Sequence, residues 1–173
     1  MKYAWTAAVI AIALLVVGLG PVVGNANEKA KGKYTTKTKY TVDVDTVGTS
    51  SSSFTEKFKV SGKKVKGKST RTGKQADGDD VRLTATFNIK LKKKAEVGKK
   101  IKVTGTIVDS GENLTESTML TNTYDITSGK FQFKSNRKGD LSMKGKTTAS
   151  GDTDLGSGSS IATTVSSSFR GKD

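Results

Sequence analysis

The sequence predicts an all-β protein, and three observations carry the prediction. From Val81 to Leu91 the chain reads V-R-L-T-A-T-F-N-I-K-L. Val81, Leu83, Ala85, Phe87, Ile89 and Leu91 alternate there without a miss against Arg82, Thr84, Thr86, Asn88 and Lys90. A period of two gives one wet face and one buried face, as in a half-buried strand. Less regular alternation of the same kind recurs through the chain, and no helical periodicity appears after residue 26. About nine strands joined mostly by short turns make an antiparallel meander. Their length favours a curved sheet, half-barrel or up-and-down barrel, with a two-layer β-sandwich as the alternative.

Residues 1–26 stand apart. Lys2 supplies a minimal positive start, Ala7–Leu19 is uninterrupted apolar chain, and Pro21 ends it. Gly24-Asn25-Ala26 then places small residues at −3 and −1 of a cut after Ala26, the pattern of a secretory signal peptide. Tyr3–Val23 is also long enough to span a bilayer, so an uncleaved membrane anchor is the alternative. On either reading residues 27–173 form a single β domain outside the cytoplasm, secreted or associated with the cell surface.

Within that domain, Lys33–Val44 alternates Tyr34, Thr36, Thr38, Tyr40, Val42 and Val44 against Lys, Thr and Asp. Gly48–Ser53 reads as a Ser-rich turn, and Phe54, Glu56, Phe58 and Val60 as a second strand turning at Ser61-Gly62. Val65–Arg71 is a poorly apolar third strand, an edge whose lysines discourage strand addition. A polar loop over Gly73–Asp80 leads to Val81–Leu91, and a Lys-rich turn to a fifth strand with Ile101, Val103, Gly105 and Ile107. Leu114–Ile126 is imperfect, because Glu116 falls on the phase of Leu114, Leu120, Tyr124 and Ile126; a bulge near Glu116–Thr118 would repair it. Ser128-Gly129 reads as a hairpin turn into Phe131 and Phe133. Leu141–Ala149 and Ile161–Phe169, separated by a flexible Gly151–Ser160 loop, complete the series.

Composition narrows the chemistry. Residues 27–173 hold 41 Ser plus Thr against 38 apolar residues, a thin core for a domain of this size. Cys and His are absent, which removes thiolate zinc sites, cysteine nucleophiles, and the commonest general base and metal ligand. Ser is abundant with no His to activate it, and the carboxylates show no informative spacing. The expectation is a non-enzyme with no cofactor. Asp152-Thr-Asp154-Leu-Gly156 faintly resembles the opening of a calcium loop and Asp77-Gly-Asp79-Asp80 supplies three carboxylates, but neither has the later bidentate Glu, so no metal is expected. Asn113-Leu-Thr115 is a glycosylation sequon, with Asn113 on the outward phase of its segment.

The strongest asymmetry is electrostatic. The chain has 30 Lys plus Arg and 16 Asp plus Glu, a net charge of +14. Residues 57–102 hold 16 of the basic residues and only four acids (Asp77, Asp79, Asp80 and Glu96), whereas the rest of the domain is close to neutral. Opposite the apolar phase lie Lys57, Lys59, Lys64, Lys66, Lys68, Arg82, Lys90, Lys100 and Lys102. With strands paired in order they form one basic face, which Lys92, Lys93 and Lys94 extend. Such a face concentrates anionic partners. It carries no aromatic residues to stack on bases, so nucleic acid is a poor fit; an anionic cell-envelope polymer or a lipid surface suits an exported protein better. Two alternatives stand beside this one. The lysines of a purely structural domain would serve solubility alone. A carrier would hold an apolar small ligand where Gly67, Ala85, Gly105, Gly145 and Ala149 leave room on the inner phase.

Overall fold

The computed structural model describes residues 30–74, 78–154 and 158–173. The segment read as signal peptide or anchor, together with Asp77, Leu155 and Gly156, lies outside the described residues. Eight antiparallel strands follow one another as a meander and close on themselves: β1 (Gly32–Val44), β2 (Gly48–Ser61), β3 (Lys64–Lys74), β4 (Asp80–Leu91), β5 (Lys100–Asn113), β6 (Thr118–Ser135), β7 (Leu141–Asp154) and β8 (Ser160–Lys172). β8 returns to pair with β1 from Val44↔Thr163 to Thr35↔Lys172, so the architecture is an up-and-down barrel and not a sandwich.

The strands number eight because two local readings exchange places. Leu114–Ser117, read as part of a strand with a bulge, is the β5–β6 turn, with Ser117 at a φ of 57°. Ser128-Gly129, read as a hairpin turn, lies inside the single 18-residue strand β6. Both ladders of β6 slip by one residue at the same place: its pairing to β5 shifts between Asp125 and Lys130, and its pairing to β7 between Ile126 and Ser128. One extra residue reverses which side chains face inward. Tyr124 and Ile126 are therefore buried on even positions, and Phe131 and Phe133 on odd ones.

The inner phase fills the barrel unevenly. Phe58, Phe87, Phe131 and Phe169 form its centre, with ring centroids 5.2–5.5 Å apart in the pairs Phe131–Phe169, Phe58–Phe169, Phe87–Phe169 and Phe58–Phe87. Such offset and edge-on pairs add to simple burial. Thr36, Thr38, Thr147, Thr163, Ser69 and Ser167 are buried beside them. A barrel this poor in apolar residues thus completes its interior with hydroxyls, some satisfied by nearby carbonyls: Thr36 Oγ1 donates to Tyr34 O at 3.2 Å and Thr163 Oγ1 to Ile161 O at 3.1 Å.

The two ends differ. At one, the β4–β5 loop folds across the opening and buries Ala95 and Val97. Ala95 N donates to Gly62 O at 3.0 Å, Ala30 N to Ala95 O at 3.1 Å, and Gly98 N to Phe133 O at 2.8 Å, which fastens the loop as a plug. At the other end Leu83 and Leu120 sit on the inward phase yet remain 57% and 44% exposed, because none of the described residues covers them. The barrel is a cup.

One seam in the wall is weak. β2 and β3 pair only at Lys59↔Lys66, Val60↔Val65 and Ser61↔Lys64, all next to their turn. β3 is therefore not a free edge, since β4 pairs along its whole length, but it is nearly one on its β2 side. Arg71 spans the gap from β3, donating through Nη2 to Ser53 O and lying 5.2 Å from the centre of the Phe54 ring.

Candidate functional sites on the wall and in the cup

All nine residues of the expected basic face are exposed. The strands pair in order, as that expectation required, yet the charge is laid out differently from a face on β2–β5. The loops at the plugged end, residues 62–63, 92–99 and 136–140, hold seven basic residues and two acids, Glu96 and Asp140. At the open end, residues 45–47, 114–117 and the described parts of 75–79 and 155–159 hold Asp45, Asp79 and Glu116 and no Lys or Arg. Charge is segregated along the barrel axis. Arg82 belongs to the open end and pairs with Glu112 at 3.0 Å, so it stands apart from the other eight. Lys99, in the plug, pairs with Glu96 at 2.6 Å, and this neighbour holds the Glu96 carboxyl below its usual range.

The basic half extends round the whole circumference through residues that a count along the chain does not single out. Lys33, Lys59 and Lys66 lie directly opposite one another across β1, β2 and β3. Lys102, Lys130 and Lys146 do so across β5, β6 and β7, and Lys144, Arg170 and Lys37 across β7, β8 and β1. Lys64 faces Lys90. Neighbouring strands stand roughly 4.8 Å apart, so each row packs like charges at close quarters. A groove of about 890 Å³ on the outer wall is lined by Lys100, Lys130, Lys144, Lys146 and Arg170, with no acid among its lining residues. The sequence signal for this belt is an alternation of charge blocks: acids at 43–45, 77–80, 109–116 and 152–154, bases at 57–68, 90–102, 130–146 and 170–172. Because a meander reverses direction at every turn, alternate blocks fall at the same end.

Inside, the small residues do not make the room expected of them. A Cβ at Gly67 would fall 2.4 Å from the Phe58 ring and one at Gly145 2.6 Å from the Phe131 ring, so aromatic side chains already occupy those spaces. Gly105 has a φ of +127° and its Cβ would meet the Asn88 carbonyl oxygen at 2.1 Å; the backbone fills that place. Ala149 is wholly buried. Of the five, Ala85 borders the cup, a cavity of about 450 Å³ at the open end.

Tyr40, Phe54 and Tyr124 line the cup with Val42, Leu83 and Leu120, together with hydroxyls such as Ser52, Ser69 and Thr153. Asp109 and Asp154 are the carboxylates of its lining. Asp109 Oδ2 accepts a 2.5 Å hydrogen bond from Tyr40 Oη, while its Oδ1, buried, accepts from no described group. Burial pushes the Asp109 carboxyl above its usual range, against the lowering effect of the Tyr40 bond. Burial and the neighbouring carboxylate push the Tyr40 phenol well above the phenol range, so it keeps its proton and donates. Tyr124 is raised by burial too, and its Oη lies 2.8 Å from Thr153 Oγ1.

Asn113 ends β5 on the phase of Ile107 and Asp109, inward and not outward as its segment suggested. Its Nδ2 donates to Asp79 Oδ2 at 2.7 Å, and its Oδ1 accepts from Thr115 N and Glu116 N at 2.9 and 3.1 Å. The sequon asparagine thus organises the β5–β6 turn, and a glycan on Nδ2 would have to displace Asp79. Among the described residues no three acids come close enough to hold a metal. Compared with models of known protein families and with characterised proteins, the chain matches none.

Proposed function

We propose that this is an exported, non-catalytic binding protein whose basic half takes up a flexible anionic polymer of the cell envelope. The observation that carries the reading is the arrangement of the lysines. Seven directly opposed cross-strand pairs join two cations, against two opposed pairs of opposite sign, Lys74–Asp80 and Arg82–Glu112, both at the open end. Like charges directly opposite each other destabilise a sheet. Lysines spread for solubility alone would avoid such pairing, whereas rows of cations are repaid when a polyanion lies across them. A belt on every strand suits a chain that wraps. A flat lipid surface fits less well, because the large exposed apolar side chains, Val47, Leu83, Leu114, Met119 and Leu120, all lie at or beside the open end, away from the cations.

The test measures binding to polyphosphate and to poly-L-glutamate over a range of salt, with phosphatidylglycerol vesicles as comparator. Contacts of this kind are screened over roughly 10 Å at 0.1 M ionic strength, so affinity should fall steeply with salt. Replacing Lys102, Lys130 and Lys146 by Gln should weaken polymer binding far more than Thr70→Glu, Thr121→Glu and Thr123→Glu, which change net charge equally but away from the belt. Equal effects would leave only a general attraction, and a preference for vesicles would move the partner to lipid.

A further inference from the structure

The open cup carries an inference independent of the belt, since it lies inside the barrel and at the opposite end. We infer that the cup is a binding site for a small organic ammonium ion with an apolar body, held by Asp109 Oδ1. Oδ2 is committed to Tyr40 at 2.5 Å, which fixes the carboxylate across the lumen and leaves Oδ1 buried with no donor among the described residues. A buried carboxylate oxygen without a donor is unfavourable, and an N–H of a cation satisfies it best, by a charge-assisted hydrogen bond. The one basic residue lining the cup, Arg71, is held at the β2–β3 seam on Ser53 and Phe54 and makes no ion pair with Asp109.

The rest of the lining fits the same ligand. Tyr40, Phe54 and Tyr124 offer aromatic surface, which attracts cations through the ring quadrupole. Val42, Leu83 and Leu120 form an apolar lip, and the inward-facing Leu83 and Leu120 are exposed only because the cup has room above them. A volume of about 450 Å³ is that of a small-molecule pocket. A bare metal ion fits poorly, since Ca²⁺ takes six to eight oxygens and among the described residues no three acids gather to hold one. Asp45, Asp79 and Glu116 in the rim loops draw cations toward the mouth, while the lysine belt at the far end discourages binding there.

The probes are n-hexylammonium, its neutral counterpart n-hexanol and the anion hexanoate, titrated calorimetrically into the unaltered protein. Hexylammonium should bind about tenfold or more tightly than hexanol, the order expected of a hydrogen bond to a charged group, and hexanoate should not bind. Asp109→Asn should reduce hexylammonium affinity to that of hexanol and leave hexanol unchanged, and Ala85→Leu, which narrows the cup from the position directly opposite Asp109, should weaken both. Glu116→Gln, which removes a rim charge and no contact with the bound ammonium, should reduce affinity far less than Asp109→Asn. Equal binding of hexylammonium and hexanol, no binding of hexylammonium, or a loss in Glu116→Gln as large as in Asp109→Asn would each overturn the inference. The three-probe comparison decides it even if Asp109→Asn does not fold.

Discussion

Tyr40 on β1 and Asp109 on β5 meet across the barrel lumen, Oη donating to Oδ2 at 2.5 Å although the two strands are not neighbours and the residues are 69 apart in sequence. The bond ties opposite walls together at the floor of the cup, beside the Tyr40–Phe87 ring pair at 5.9 Å. It also fixes a carboxylate where burial penalises its charge.

That penalty gives stability a sign. A carboxyl whose folded pKa lies above its unfolded value, about 3.9, contributes stability that is fully present below the unfolded pKa and lost as pH rises through the folded one. The neighbouring titratable groups are Tyr40 and Tyr124, both raised and neutral through this window, with Arg71 and Asp154 on the same lining. Asp109→Asn keeps an acceptor for Tyr40 and removes the buried charge. Denaturant melts should therefore show the variant gaining on the parent protein as pH rises from about 4 toward neutrality. Tyr40→Phe, which strands the carboxylate, should destabilise by about 1–3 kcal/mol at neutral pH. A wild-type advantage that grows with pH would contradict this account of Asp109.

The inner glycines give a graded series. Gly73→Ala meets nothing within 4 Å and should leave the melt nearly unchanged. Gly67→Ala presses on the Phe58 ring and should lose about 1–3 kcal/mol, as overpacked cores do. Gly105→Ala must both accept a φ of +127° and displace the Asn88 carbonyl, so it should be the worst of the three. Thermal melts rank them directly.

Deleting Thr127 should be tolerated, whereas inserting an alanine after Thr127 should be more damaging than any single substitution on the β6 surface. The deletion removes the extra residue, so Tyr124, Ile126, Phe131 and Phe133 share one inward phase of an unbroken strand. The insertion adds a second extra residue, and keeping Tyr124 and Ile126 inside across a one-residue bulge then turns Phe131 and Phe133 out. Circular dichroism should show a cooperative β melt for the deletion and its loss for the insertion.

The same strand shows what the sequence could and could not disclose. Alternation located the strands because burial on one face leaves a period of two, and it held without a break through Val81–Leu91. At β6 it reversed phase, and two mechanisms leave that identical trace: a turn that starts a new strand, or a bulge within one. Ser128-Gly129 looked like the turn and Glu116 like the bulge, and the reverse holds, because only the partner strands' register distinguishes them. The cations were legible as residues but not as a belt. Summed along the chain, β6–β8 carry six bases against three acids, a weak excess; divided by strand end, Lys130, Lys144, Lys146 and Arg170 separate from Asp125, Asp152 and Asp154. The cup left less trace still, since Asp109 pairs with a residue on the opposite wall and no local pattern announces it.

Lys130 offers the sharpest test of why the cations are there. It stands directly between Lys102 and Lys146, and all three are exposed. Lys130→Glu converts two like-charge oppositions into two attractive ones. Cross-strand pairs of opposite charge contribute roughly 0.2–1 kcal/mol each and like pairs oppose folding, so the variant should melt at a higher temperature than the parent, by more at low salt than at high. If the row exists for a polyanion, the same variant should bind polyphosphate less well, so that stability and binding move in opposite directions. Lys59→Glu, between Lys33 and Lys66, should behave alike at a second row. A gain in stability with unchanged binding would mean that the rows are tolerated and not used, and that solubility alone accounts for the lysines.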